Sequence, residues 1–182
     1  MGQPIGRQDQ YAAAYGGINS ISFDSDGTEV VPLKITEEAM DRISEEFTLV
    51  FTGMTRSASE VLSEAPEDHN DKATRLRKIR KHADSARDLL EAGNLKGLGE
   101  LLRETWELKR GISPSVSGDE IEEIHKQIML TGATGSKLLG AGGGGFFLVH
   151  GDGEVRSKLE KMDLMTISLG IDEEGSTIVH RG

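Results

Sequence analysis

A dense run of glycines near the end of the chain limits what its C-terminal part can fold into. Five of the six residues from 140 to 145 are glycine, and strand-like apolar residues flank them on both sides. Glycine loses the most backbone freedom on folding, so such a run needs a physical reason. Two interpretations stay open: a tight turn between buried strands, and a loop whose backbone lies close to a ligand such as a phosphate.

Composition excludes several classes of protein. The 182 residues are 36% hydrophobic and 29% charged, as expected of a chain that folds around a core. The net charge of −10 argues against general binding to nucleic acids or anionic membranes. The chain has no cysteine and therefore no disulfide or thiolate site. No apolar stretch reaches the ~18 residues of a membrane span. We expect no nucleic-acid or membrane partner and a cytoplasmic location.

Hydrophobic periodicity predicts an α+β fold in which helices pack on mostly antiparallel strands. We expect the first helix to be followed by a β-hairpin. Ser117 and Glu120 have the spacing of a capping box at the start of a later helix. Helices are predicted over 7–15, 36–46, 55–63, 72–91, 95–109 and 153–162, with a further helix that begins after Ser117 and stops at Gly132. Strands are predicted over 18–23, 30–31, 49–53, 135–140, 145–150 and 177–179.

Asp9 is the strongest acid–base candidate in the sequence. It falls in the first turn of the opening helix, where the helix dipole and free N–H groups favour a carboxylate. Such a carboxylate could accept a proton from a substrate hydroxyl, and the neighbouring Arg7 could hold a phosphate. The simpler interpretation, that Asp9 only caps the helix, stays open.

Four segments resemble the GHMP family of small-molecule kinases. Residues 6–17, Gly-Arg-Gln-Asp-Gln-Tyr-Ala-Ala-Ala-Tyr-Gly-Gly, are similar to the segment that carries the family's catalytic aspartate. The glycine loop at 140–145 resembles the family's third, C-terminal motif. Residues 49–59 and 106–110 narrow the resemblance to the D-glycero-D-manno-heptose 7-phosphate kinases. The resemblance extends over nearly the whole chain.

The resemblance implies a division of the chain at residue 34. Residues 34–182 would form the kinase C-terminal domain, a ferredoxin-like antiparallel sheet with helices packed on one face. Residues 1–33 would be a remnant helix and hairpin of the N-terminal domain. The family's ATP loop and N-terminal lysine motif are not in this sequence, so we expect the isolated chain to be inactive. It would work with a separately encoded N-terminal half, or form a homodimer through apolar edges at Ile18, Ile21 and Val30.

The resemblance also implies roles for individual residues. Asp9 would deprotonate or orient the accepting hydroxyl of a sugar phosphate, and Arg7 and Arg56 would hold its phosphate. ATP and Mg²⁺ would be the cofactors, held largely outside this sequence, and Lys137 is a weaker candidate. The wall of the cleft would be formed by Gly142, Gly143, Gly144 and Gly145. The alternative is a non-catalytic ligand-binding or interaction module, because fold does not settle function.

Overall fold

The N-terminal part of the chain is a short helix followed by a β-hairpin. The structure, a computed structural model, describes residues 6–55 and 69–179. Helix α1 (Gln8–Tyr15) contains no buried residue and ends at Gly16. Strands β1 (Asn19–Phe23) and β2 (Thr28–Pro32) pair antiparallel. The Asp24 carboxylate closes their turn by accepting the N–H groups of Asp26 and Gly27. The predicted helix and hairpin are confirmed.

A four-stranded antiparallel sheet forms the main body of the structure. Its strands are β3 (Phe47–Phe51), β4 (Gly135–Leu138), β5 (Phe146–His150) and β6 (Thr166–Ser168). They are arranged in the order β4-β5-β3-β6, so the first strand of this sheet lies between the third and the fourth. This is the ferredoxin-like arrangement, and it confirms the predicted α+β class.

In the described part of the chain, five further α-helices connect and cover these strands. Thr36 and Asn94 begin two of them, because their side chains accept the N–H groups of Ala39 and Gly97. Among residues 6–55 and 69–179, no helix is both long and apolar enough to cross a membrane. The helices are α2 (Glu37–Glu46), α3 (His69–Glu91), α4 (Leu95–Arg110), α5 (Asp119–Leu130) and α6 (Gly153–Leu159), with a 3-10 helix at Pro114–Val116.

The capping box predicted at Ser117 and Glu120 is wrong. Gly118 is the residue that precedes α5, and it makes no side-chain cap. The Ser117 hydroxyl donates instead to the carboxylate of Glu122, which also pairs with Arg110 at 2.7 Å. The serine that the local pattern assigned to the start of the helix thus hydrogen-bonds to the carboxylate of an ion pair instead.

The last strand lies at Thr166–Ser168 and not at 177–179. Thr166–Ser168 pairs with residues 48–50 of β3, so its position is set by the sheet. Ile178 and Val179 are 72% and 95% exposed and lie in no strand. A β-branched pair at the surface has no partner strand to make it extend a sheet. The helix predicted over 55–63 falls almost entirely outside the described residues.

Buried side chains cover both faces of the four-stranded sheet. Leu138, Phe147 and Val50 stand opposite one another on adjacent strands and are fully buried. Phe47 points to the other face, because it is three residues from Val50 and strand side chains alternate. It packs with Ile43. The first cluster also contains Trp106, Val116, Ile121, Ile128, Ala133, Val149, Val155 and Leu159.

We expect Leu138→Ala to lower the free energy of unfolding by about 2–5 kcal/mol, because it leaves a cavity in the core. Leu138 is fully buried, whereas Leu130 is 76% exposed. Leu130→Ala, the matched control, should change the value by less than about 0.5 kcal/mol. Urea unfolding measures both. Equal effects of the two variants would contradict the assignment of Leu138 to the core.

Candidate active site

The glycine loop is bound on two sides by the protein's own backbone. It joins β4 to β5, and the Leu139 N–H closes the hairpin by donating to the Phe146 carbonyl at 2.9 Å. Within the loop, Gly143 N–H donates to Val116 O at 3.0 Å and Gly145 N–H to Met54 O at 2.9 Å. The loop is thereby attached to the 3-10 helix on one side and to the end of β3 on the other.

Two of the loop glycines are required by close approach. A Cβ at Gly142 would lie 2.9 Å from Val116 Cα, and one at Gly144 would lie 2.7 Å from Met54 O. Both glycines have positive φ angles, 116° and 156°, which residues with a side chain rarely adopt. The turn between buried strands, the first interpretation from sequence, therefore explains much of the glycine content. Among the described residues, the Gly142 and Gly144 N–H groups have no acceptor.

A lysine that sequence reasoning missed lies at the start of this loop. Lys109 Nζ donates to the carbonyls of Leu138 at 2.9 Å and Gly140 at 2.7 Å. Burial, and to a smaller extent the nearby charge of Lys137, together lower the pKa of Lys109 to about 7. Burial also lowers the pKa of Lys137. The available signal was the position of Lys109 within segment 106–110, which carried part of the family resemblance.

Asp9 lies on the N-terminal helix, and Arg7 immediately precedes that helix. Asp9 is exposed in the first turn of α1, as predicted, and Arg7 precedes the helix without capping it. The Arg7 guanidinium lies over the Phe23 ring, 5.0 Å from its centre. Among the described residues, no hydrogen bond or ion pair joins Asp9 or Arg7 to the loop. Arg56 lies outside the described residues, so its role stays a prediction.

Backbone contacts attach the Asp9 helix to the end of the chain. Gly17 N–H donates to Asp172 O at 2.7 Å, and Ser176 N–H donates to Ala14 O at 3.2 Å. A Cβ at Gly16 would overlap the Gly175 nitrogen, so the two segments cross in close contact. The orientation of α1 thus depends on residues more than 150 positions away in sequence.

The hairpin exposes different apolar residues from those predicted. Ile18, Ile21 and Val30 are half-buried, and Ile18 packs against the cluster around Phe47. The exposed apolar residues here are Tyr15, Phe23 and Val31. The prediction failed because alternation alone does not say which face of a hairpin meets the following helices.

The remaining polar candidates do not form a metal site. Over residues 6–55 and 69–179, no three His, Asp or Glu side chains are grouped so that they could hold a metal ion. His150 is buried and its Nε2 lies 3.0 Å from Glu46 Oε2, at the opposite end of β5 from the glycine loop. Because Glu46 accepts, the neutral ring carries its proton on Nε2, which leaves the buried Nδ1 an acceptor without a donor. Trp106 is core, as predicted.

Gly142→Ala and Gly140→Ala separate close approach from backbone conformation. Both glycines have positive φ, but a Cβ at Gly140 meets nothing within 4 Å. We expect Gly140→Ala to destabilise by about 1 kcal/mol, from the conformation alone. Gly142→Ala should cost about 2 kcal/mol more, because the Val116 backbone cannot move aside cheaply. Thermal unfolding measures both, and equal costs would contradict the close contact.

The titration of Lys109 gives a second prediction. We expect its side chain to change charge near pH 7, observed through its ¹³Cε–¹Hε NMR signal. Lys137→Met removes a neighbouring like charge and should raise the pKa of Lys109, which stays below 10.5 because burial persists. Lys158→Met, a control that removes a distant ammonium, should leave the titration in place. A midpoint unmoved by Lys137→Met would refute the coupling.

Known kinases share the sequence and the fold of this chain. A D-glycero-alpha-D-manno-heptose 7-phosphate kinase of Campylobacter jejuni is 32% identical over 150 residues, which are 81% of this chain and 44% of that protein. A Campylobacter jejuni crystal structure described as a sugar kinase has a TM-score of 0.66 at 30% identity, covering 93% of this chain and 50% of its own. The chain thus spans half the length of these proteins or less.

More distant structures share the fold alone. A D-glycero-D-manno-heptose 1-phosphate kinase from Bacteroides thetaiotaomicron superposes with a TM-score of 0.63 at 23% identity, covering 93% of this chain and 47% of that one.

Residues 86–163 match the family described as GHMP kinases C terminal. This region runs from the end of α3 to the end of α6 and includes the glycine loop with both of its strands. The chain therefore contains a GHMP kinase C-terminal domain.

Proposed function

We propose that this chain is the C-terminal part of an ATP-dependent sugar-phosphate kinase that phosphorylates the anomeric hydroxyl of a heptose 7-phosphate. The observation that carries the proposal is the 32% identity to a heptose 7-phosphate kinase over 81% of the chain. That alignment of 150 residues extends well beyond the family match at 86–163, which is less than half of the chain.

In this proposal ATP is bound by an N-terminal half that carries the ATP loop. That half either precedes these residues in one polypeptide or is supplied as a separate partner. The chain spans 44% of the heptose kinase it resembles, so such a half has a counterpart in the relative. The isolated chain would then bind sugar phosphate without transferring phosphate to it.

The proposed reaction needs one base on this chain. Asp9 accepts the proton of the sugar hydroxyl. At the same time the oxygen of that hydroxyl forms a bond to the γ-phosphorus, and the bond from the phosphorus to the ADP oxygen breaks. The position of Asp9 in the first turn of α1 supports this role, because the helix dipole favours a carboxylate there. Its exposure leaves the carboxylate open to a substrate.

The glycine loop would contribute bare backbone beside the substrate. The N–H groups of Gly143 and Gly145 hold the loop in place, and those of Gly142 and Gly144 have no acceptor among the described residues. In the proposal, alternate N–H groups of one loop have separate uses, attachment and ligand contact, and the half-buried Gly144 is more accessible than the buried Gly142. Sugar-phosphate oxygens are acceptors of the kind these groups lack.

Magnesium accompanies ATP in phosphoryl transfer and neutralises charge on the phosphates. The described residues do not fit that ion, because no three acidic or histidine side chains converge among them. In the proposal the metal is held by the N-terminal half, and no step assigned to this chain passes through it. The cytoplasmic location expected from the sequence remains part of the proposal.

A non-catalytic binding module is the second candidate. It is favoured by one observation: among the described residues, no hydrogen bond or ion pair joins Asp9 to the glycine loop. The two candidates differ in the fate of bound ligand. A module would bind sugar phosphate with equal affinity whether residue 9 is Asp or Asn, and would never turn it over.

We expect Asp9→Asn to lower kcat by about 10²–10⁴-fold when the chain is assembled with an ATP-loop-bearing N-terminal half. The substitution removes the proton acceptor and keeps the size of the side chain. A coupled assay of ADP formation with ATP and heptose 7-phosphate measures the change. Asp26→Asn, in the exposed hairpin turn, is the matched control and should leave kcat intact.

Two results would contradict the proposed function. The first is the absence of turnover with any sugar phosphate in the assembled protein. The second is full activity of Asp9→Asn, which would remove the base from the mechanism. Heptose without its 7-phosphate serves as the substrate control and should give a higher KM, because the enzyme loses the phosphate contacts.

A further inference from the structure

Three separate attachments hold the glycine loop, and they differ in kind. Its middle is held through Gly143 and Val116, and its end through Gly145 and Met54, all by backbone groups. The end is reinforced by Thr52, whose hydroxyl and N–H both donate to Gly145 O at 2.9 Å. These attachments come from elements of the core and need no particular side chain other than the threonine.

Gly140, the first glycine of the loop, is held by a side chain, next to the Leu139 N–H that closes the hairpin. Gly140 is exposed, and no atom lies within 4 Å of the position a Cβ would take there. Among the described residues, the only donor to its carbonyl is Lys109 Nζ at 2.7 Å. The same nitrogen donates to Leu138 O at 2.9 Å, on β4, a strand that has β5 as its one neighbour.

The backbone that carries Lys109 is itself fixed in the core. Lys109 lies in the last turn of α4, three residues after Trp106. Trp106 is fully buried and packs edge-on against Phe147 of β5, with ring centres 5.5 Å apart. The glycine loop leads directly into β5. The backbone of Lys109 is therefore fixed, through Trp106, to the same strand that follows the loop.

We infer that Lys109 is a positioning residue of the proposed kinase: by holding the Leu138 and Gly140 carbonyls, it fixes the first part of the glycine loop against the substrate. That the loop faces a substrate depends on the proposed function. That Lys109 holds the loop depends only on contacts within this chain. Hydrogen bonds from a charged donor are stronger than neutral ones, so one ammonium can hold the two carbonyls on either side of Leu139.

The lysine is poorly suited to a purely stabilising role. Its ammonium is half-buried and no carboxylate pairs with it among the described residues. The neighbouring Lys137 adds repulsion and, with burial, depresses the pKa of Lys109. Retaining such a charge beside a loop opposes folding and attracts anions. The sugar phosphate of the proposed reaction carries the opposite charge.

The test compares Lys109→Met with Lys109→Arg in the 182-residue chain. Methionine keeps the length of the side chain and removes the donors, whereas arginine retains donors and charge. We expect ¹⁵N NMR to show shifted signals for Gly140 and Gly142 in Lys109→Met, with amide hydrogen exchange faster at Gly143 by about tenfold. The Lys109→Arg signals should stay close to those of the unsubstituted chain.

Lys158→Met is the matched control. Lys158 Nζ also donates to a backbone carbonyl, that of Thr131 at 3.2 Å, and pairs with Glu154. Its removal should leave the glycine-loop signals unchanged. If Lys109→Met does not fold, Lys109→Gln, which keeps a shorter neutral donor, is read in the same way and should give a smaller displacement in the same direction.

Binding and turnover supply the readout that a structural role would not move. We expect Lys109→Met to weaken heptose 7-phosphate binding by about tenfold in calorimetry and to lower kcat/KM similarly in the assembled kinase. Lys109→Arg should restore most of both. Unchanged loop signals with unchanged binding would overturn the inference. A failure of the unsubstituted chain to bind any sugar phosphate would instead contradict the proposed function, while the loop measurement would still decide the role of Lys109.

Discussion

The close backbone contact between the glycine loop and its two neighbours is the constraint on which the rest of the structure depends. At Gly142 and Gly144 there is no room for even a methyl group, because Val116 and Met54 already occupy that space. Val116 belongs to the buried cluster that includes Phe147, and Met54 packs against the same cluster. The loop therefore cannot shift without moving the core of the domain.

Local chemistry predicted most of the helices and strands but not those whose partners are distant. Thr36 and Asn94 start helices through contacts three residues away, which a sequence pattern can reveal. Thr166–Ser168 is a strand because β3 pairs with it, and three residues are too few to show a period. Ser117 donates to Glu122 instead of capping the helix, and Glu122 also pairs with Arg110.

The candidate site divides in the same way. Asp9 and the glycine run are visible as local patterns, and the family resemblance connected them. Lys109 was not visible, because its importance depends on two carbonyls that lie about 30 positions further along the chain. The position of Asp9 relative to the loop depends likewise on the crossing of Gly16 and Gly175, which no local pattern contains. The proposed site thus depends on tertiary contacts that fix locally recognisable residues.

Mapping of bound heptose 7-phosphate by ¹⁵N NMR tests most directly the claim that the chain carries one face of a sugar-phosphate kinase site. The account predicts that the ligand perturbs two sets of backbone signals together: those of Gly142 and Gly144 in the loop, and those around Asp9 in α1. The His150 end of the sheet should be unaffected. Perturbation confined to that end, or to neither set, would contradict the account.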